Sequence, residues 1–319
     1  MKKYQIFPIE IKHPSNLKSI NFYLVKTERS LLLIDAGFNA PSFVEHFEKN
    51  LHQYGFSLND LTAILLTHHH IDHVGLVNYI AKTNAIPIYV HPEAFPRLKR
   101  EPRFLQRRIQ FFKELYQEMG CGLAGENQVS YLKESLVKNQ ANAIQADLTR
   151  MPDQYEGFEV IDFPGHSPDQ VAFYKRDEEV LFGGDLLIEH ISSNAIVEPN
   201  LDGEKILTLV EHKHSLEKCL QLPLKKVYSG HGSIITNPHD LIRQRITGID
   251  QKANRLLEYI KVGVNTGNAL ALEMYEHRYS SQFSLVMSEI IGHLDYLENN
   301  DQVVKKKQNG VWNYFIQNG

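Results

Sequence analysis

Apolar and polar positions follow two rhythms along this chain, and the rhythm changes twice. In the first third, short apolar runs alternate with turn signals. Ile20 to Lys26 and Leu31 to Ile34 read as neighbouring strands joined through Glu28 to Ser30, and Asp35-Ala36-Gly37 closes the second. Pro41 opens a helix that carries Phe43, Val44 and Phe47 on one face. Leu61 to Leu66 is apolar almost throughout and reads as a short buried strand. It runs directly into Thr67-His68-His69-His70-Ile71-Asp72-His73. A helix is expected from about Asp72 to Lys82, then a strand over Ile86 to Val90.

Residues 92–156 break the alternation. Leu105, Ile109, Phe112, Tyr116 and Met119 recur at helical spacing, which predicts a helical insertion over one edge of the main domain. Strand signals then return. Phe158 to Phe163 ends at Pro164-Gly165-His166, Gln170 to Lys175 follows, and Val180 to Phe182 ends at Gly183-Gly184-Asp185. A helix over about Gly203 to Leu220 precedes Lys226 to Tyr228, which ends at Ser229-Gly230-His231-Gly232. The tail differs again, with a long helix over Pro238 to Val262 and shorter ones near Asn265–Tyr275 and Phe283–Asn299. The runs Gln302–Lys307 and Val311–Ile316 flank Asn309-Gly310, a strong hairpin signal. The pattern divides the chain into a main domain over 1–237 and a winged-helix-like appendage over 238–319.

Composition adds little until the histidines are counted. The chain has 319 residues, 42% hydrophobic and 23% charged, with a net charge of −4. No global field draws it to nucleic acid or anionic membrane. No run reaches the roughly 18 apolar residues of a spanning helix. Met1 to Pro14 lacks the apolar stretch of a secretory signal, so a cytoplasmic setting is expected. Cys121 and Cys219 cannot build a disulfide framework and read as buried filler. Sixteen histidines are many, and they are the first sign of metal chemistry.

The chemistry concentrates in His68-x-His70-x-Asp72-His73. On an extended segment, positions i and i+2 point the same way, so His68 and His70 can share one ion while His69 points elsewhere. Asp72 and His73 turn into the following helix and can address a second ion, although Asp72 can also serve as a plain helix cap. Imidazole with carboxylate suits zinc, iron, manganese or cobalt. Three further candidates lie beyond predicted strands and beside glycines: His166, Asp185 and His231. Strand-end loops on a rigid sheet are where functional groups gather.

The order HxHxDH, GHS, GGD and GHG on this strand pattern resembles the metallo-β-lactamase superfamily, and more narrowly its glyoxalase II, lactonase and lactamase-like ribonuclease branch. Leu33-Ile34-Asp35-Ala36-Gly37 is similar to the family's early strand-loop motif. The resemblance spans about residues 17 to 235 and implies an α+β fold, an αββα sandwich with the site along one edge. By position it implies that His68, His70 and His166 hold one metal and Asp72, His73 and His231 the other, with Asp185 bridging. Two divalent ions, zinc first and manganese or iron as alternatives, would then carry a bridging hydroxide as nucleophile, with Asp72 as proton acceptor. Asp72 and Asp185 are therefore the expected catalytic residues. One departure is Pro168-Asp169 after Gly165-His166-Ser167, where many relatives have a glycine.

The expected activity is a dinuclear metal-dependent hydrolase acting on an ester- or thioester-type small molecule. Lactonase activity ranks lower, because Leu186, Leu187, Ile188 and Glu189 follow Asp185 with no tyrosine. The alternative is an RNA phosphodiesterase, for which Arg97, Lys99, Arg100, Arg103, Arg107, Arg108 and Lys113 would supply phosphate contacts. Against that stands the plainer reading of a solvated face or a homodimer contact. His91 and His190 are candidate proton donors, each more simply a supporting or surface residue. A nucleic-acid-binding module is disfavoured, because Phe283–Asn299 carries Glu289, Asp295 and Glu298 but no Lys or Arg.

Overall fold

A computed structural model describes residues 4–317. Two sheets face each other. The first has the spatial order β1 (Gln5–Lys12), β2 (Ser19–Lys26), β3 (Leu31–Ile34), β4 (Ala63–Leu65), β5 (Ile88–Val90) and β6 (Leu148–Arg150). β1 to β3 are antiparallel neighbours and β3 to β6 are parallel. The second runs β11 (Lys226–Ser229), β10 (Val180–Gly184), β9 (Val171–Lys175), β8 (Phe158–Asp162) and β7 (Gln154–Tyr155). Only its β10–β11 pair is parallel.

Alternation along the strands sorts side chains between the layers. Tyr23, Val25, Leu32, Ile34 and Leu65 of the first sheet meet Phe158, Val171, Phe173 and Phe182 of the second, forming the central core. Phe22, Leu24, Leu33 and Ile64 point outward beneath α1 (Pro41–Gln53) and α3 (Val77–Thr83). Tyr174, Leu181 and Val227 point outward beneath α7 (Thr208–Leu220) and α8 (Pro238–Lys261). Strands buried on both faces explain the apolar runs. The result is the expected αββα sandwich.

The α-helices of the segment 92–156 end at Lys138: α4 (Phe95–Leu98), α5 (Pro102–Glu118) and α6 (Gly122–Lys138). Its last residues become β6 and β7, one added to each sheet. β1 was not expected. The helix after His70 is two pieces, α2 (Ile71–Val74) and α3, and the helix placed from Gly203 begins at Thr208. The tail holds α8, α9 (Gly267–Tyr279), α10 (Phe283–Asn299) and the hairpin β12 (Val303–Gln308) and β13 (Val311–Ile316). Asn309 and Gly310 take φ of 49° and 83°, the left-handed pair of a tight hairpin turn.

Tail and insertion share one core. Phe112, Leu115 and Tyr116 of α5 pack with Leu256, Leu270, Met287, Ile290 and Leu294 and with Val303 and Tyr314 of the hairpin. α10 is buried nearly all round, so it has no free face for a nucleic-acid groove. Met287→Ala should cost about 2–5 kcal/mol, the usual range for truncating a fully buried large side chain. A chain truncated after Asn237 should lose cooperative thermal unfolding and bind a hydrophobic dye. An unchanged, cooperative melt of that fragment would show that the shared core is dispensable.

Candidate metal centre

Each of the seven predicted side chains leaves a strand end on the same edge of the sandwich. His68 and His70 follow β4, and Asp72 and His73 lie in α2. His166 follows β8, Asp185 follows β10, and His231 follows β11. All seven come together. Ring nitrogens of His68, His70 and His166 form one group of donor atoms, a carboxylate oxygen of Asp72 with ring nitrogens of His73 and His231 another, and Asp185 joins His68 and His73, every atom in a group within 4.8 Å of its partners. A Cβ at Gly230 would stand 2.5 Å from Asp185 Oδ1 and 2.5 Å from His73 Cε1, so only glycine lets the β11 turn approach this closely.

His70 Nδ1 lies 3.0 Å from His68 Nε2 and 3.0 Å from His166 Nε2. Three converging ring nitrogens cannot be satisfied by a shared proton. A cation bound about 2.0–2.1 Å from each imidazole in a tetrahedral shell would set such nitrogens a little over 3 Å apart. Asp185 Oδ2 is 3.5 Å from His166 Nε2 and 3.2 Å from His231 Nε2, while its Oδ1 is 3.4 Å from His73 Nε2. One carboxylate thus spans both groups. Asp72 Oδ2 is 3.5 Å from His231 Nε2. Among the described residues, His73 Nε2 and Asp185 Oδ1 are buried without a hydrogen-bond partner, which suits cation ligands. The donor set therefore fits two hard-to-borderline divalent ions.

The far nitrogens of four rings are occupied. His166 Nδ1–H donates to the Asn194 carbonyl at 2.8 Å, and His231 Nδ1–H to the Ser19 carbonyl at 2.8 Å. His73 Nδ1–H donates to Asp35 Oδ2 at 2.8 Å. His68 Nδ1–H donates to Thr67 Oγ1, whose own hydroxyl donates to Asp35 Oδ2 at 2.8 Å. Each contact fixes the tautomer that turns Nε2 inward. Thr67, Ser19 and Asn194 were not singled out from sequence, and Asp35 only as part of a motif, without this role. The family-like Asp35-Ala36-Gly37 was the only available signal.

Electrostatics divides the rings. Burial, reinforced by neighbouring imidazoles, holds His68 and His70 well below the usual histidine range. Burial also opposes protonation of His73 and His231, but the adjacent carboxylates, Asp185 foremost, lift both above it. Burial would raise Asp185, yet His231 and His73 hold it well below the carboxylate range.

The remaining candidates take supporting roles. His69 does point elsewhere: its Nδ1 meets Asp169 Oδ1 at 2.6 Å, which gives the unusual Pro168-Asp169 a structural purpose. His190 donates to the Asn16 carbonyl and its ring lies against Gly232. His91 caps a short turn by accepting from the Glu93 N–H. Leu186, Leu187 and Ile188 are core residues. Burial pushes the thiols of Cys121 and Cys219 up to about 12, so neither is a nucleophile at neutral pH. Four of the seven basic residues of the insertion are engaged internally. Arg97 and Arg108 pair with Glu93 and Glu198, while Lys99 and Arg100 bond the carbonyls of Ala146 and Ser135. Among the described residues, no helix is long and apolar enough to cross a membrane.

A four-layered sandwich whose strand ends gather imidazoles and carboxylates in this order defines a metal-dependent hydrolase. Residues 16–231 match the metallo-beta-lactamase superfamily, and the chain belongs to that family. It is 28% identical over 308 residues to the probable metallo-hydrolase YqjP of Bacillus subtilis (strain 168), covering 95% of each chain. It is 22% identical over 268 residues to the atrochrysone carboxyl ACP thioesterase of Aspergillus fumigatus, covering 82% of this chain and 68% of that one. Among solved structures, a metallo-beta-lactamase family protein from Thermus thermophilus aligns with a TM-score of 0.78 at 23% identity over 98% of both chains. A beta-lactamase domain protein from Burkholderia ambifaria aligns at 0.74 and 19% identity, over 98% of this chain and 92% of that one. These two likenesses show the fold.

Asp35→Asn should weaken metal binding by roughly 10–100-fold, the usual cost of losing an outer partner of a ligand histidine. Competition with a chromogenic chelator measures it, and wild-type affinity in the variant would refute the assigned role. A second expectation concerns His212, buried in α7, which burial and then the charge of His166 push down to about 3. An unfolded histidine takes its proton near 6.5, so between these values the unfolded chain binds more protons. Stability should fall as pH drops through that window, by at most about 1.4 kcal/mol per unit from this group. His212→Leu should flatten that slope in denaturant titrations run from pH 7 to 4.

Proposed function

We propose that the chain hydrolyses an ester- or thioester-type small molecule with the help of two divalent cations, zinc first among the candidates. His68, His70 and His166 would hold one, Asp72, His73 and His231 the other, and Asp185 would touch both. The observation that carries this reading is the single Asp185 carboxylate reaching histidines of both groups. When bound, such a pair of ions acidifies water at neutral pH and draws charge from the bond under attack. The chain's own contribution is to hold the donor atoms in place. Asp72 is the more accessible of the two site carboxylates, its side chain 20% exposed against 7% for Asp185. It is the group placed to accept a proton at the open side.

Two observations favour an acyl substrate over RNA. Exposed apolar side chains neighbour the ligands along the chain, with Ile71 58% exposed between His70 and Asp72 and Ile234 39% exposed three residues past His231. Apolar side chains so close in the chain to the ligands suit an acyl group better than a polyanion. On the insertion, Arg103, Arg107 and Lys113 of the seven basic residues are exposed with no internal engagement among the described residues, too few for a phosphate-tracking surface. The thioesterase among the relatives supports the same direction.

A panel of aliphatic esters, acyl thioesters and single-stranded RNA tests the reading. Thioester turnover should drop by roughly 10²-fold or more after chelation and in Asp185→Asn, beyond the loss expected for an outer partner. Cleavage of RNA alone, with the same dependence on Asp185, would replace this reading. Turnover indifferent to chelation would end it.

A further inference from the structure

One loop holds both the ring and the backbone of His166. The Asn194 carbonyl accepts from its Nδ1–H at 2.8 Å, and the Ser193 hydroxyl lies 3.0 Å from the same nitrogen. The Ile196 N–H then donates to the His166 carbonyl at 3.4 Å. Where residues 193–196 go, this ligand follows. The other group of donors is held from elsewhere: His73 by Asp35 at the end of β3, and His231 by the Ser19 carbonyl at the start of β2.

The insertion grips the loop just beyond these contacts. Arg108 of α5 donates from Nε to both oxygens of Glu198, at 2.9 and 2.7 Å, and from Nη2 to Oε1. Arg97 of α4 donates from Nη2 to the Pro199 carbonyl at 2.9 Å. Each guanidinium is seated over an aromatic ring of α5, Arg97 at 4.6 Å from Phe104 and Arg108 at 4.8 Å from Phe112. From the tail side, Ser288 of α10 accepts from the Val197 N–H at 3.2 Å. Glu198 itself is 4% exposed. Burial would raise its pKa, yet Arg108 and then Arg97 hold it below the carboxylate range. An arginine–carboxylate fork fixes direction as well as distance. Desolvation consumes much of what a buried pair gains, so stability alone is a weak reason for one here.

We propose that Glu198 is a positioning residue for His166. Clamped by Arg108, and with Arg97 holding the next residue, it sets the loop that turns His166 Nε2 toward His68 and His70. The insertion thereby governs the affinity of the cation site built on His68, His70 and His166, and not that of the site built on Asp72, His73 and His231. The inference rests on the two-cation reading above, but not on the substrate.

Titration of the metal-free protein with cobalt(II), followed by visible absorption, tests it without turnover. His166→Ala and His231→Ala, each lacking a ligand of one group, supply reference spectra for the two sites. Glu198→Gln should weaken the His166 site about tenfold, the low end of the usual cost of losing an outer partner, with the His231 site unchanged. Arg108 has a side chain 26% exposed and can turn to solvent when its acid is removed, so the fold should survive. Arg108→Lys, which keeps the charge but not the fork, should fall between wild type and Glu198→Gln. Ser288→Ala, which releases the loop on the tail side, should show the same selectivity more weakly. Should Glu198→Gln lose its cooperative melt, these two variants decide by the same criterion. Equal losses at both sites, or wild-type affinity at both throughout the series, overturn the role of Glu198. Two cobalt ions in the wild type would then leave the two-cation reading standing. Fewer than two in the wild type would retire that reading, and this assignment with it.

Discussion

One buried carboxylate organises this site from behind. Asp35 closes β3 with φ of 58°, a left-handed conformation that aspartate tolerates better than most residues. It accepts the Thr67 N–H at 2.8 Å, the Thr67 hydroxyl at 2.8 Å and the His73 ring at 2.8 Å. The exit of β4 and the first turn of α2 are thereby fixed relative to β3. His68 is tied to the same carboxylate through Thr67. Two ligand rings in different groups answer to one acid, so their relative position is set before any ion arrives. A buried charge carries a desolvation cost, here offset because both oxygens have donors. The ion pair is worth keeping for orientation rather than for stability.

Much of this was legible in the chain. The ligands were legible because each sits where an apolar strand run gives way to glycine or to the histidine cluster itself, and that signal survives without any knowledge of the partner strands. The outer contacts were not, because two of the acceptors are backbone carbonyls, at Ser19 and Asn194, which any residue provides. β1 escaped notice for a related reason: it is an edge strand with Pro8 inside it and only Ile9 fully buried, so its apolar alternation is faint. The helix placed from Gly203 starts late because the Asn200 side chain accepts from the N–H groups of Asp202 and Glu204, a local turn that competes with helix.

Charge counting misled where partners lie far away in sequence. A run of arginines and lysines in the insertion reads as a basic surface. Arg108 instead pairs with Glu198, ninety positions later, and Arg97 stacks its guanidinium over Phe104 at 4.6 Å while bonding the Pro199 carbonyl. Such residues close the insertion onto the loop ahead of α7. Their charge serves packing across two distant segments, and only the fold reveals it.

The joint core of α5 with α8, α9 and α10 also bears on how the molecule is made. During synthesis α5 leaves the ribosome long before α10, with about 165 residues between them. At ordinary elongation rates that interval is roughly ten to thirty seconds. Until then Phe112, Leu115 and Tyr116 lack the cover that α8 to α10 provide, while the two sheets, complete once Ser229 is made, can pair before α10 arrives. The nascent chain therefore passes through a stage in which the catalytic half is formed and sticky at one side, which makes it a natural client for chaperones that shield apolar helices.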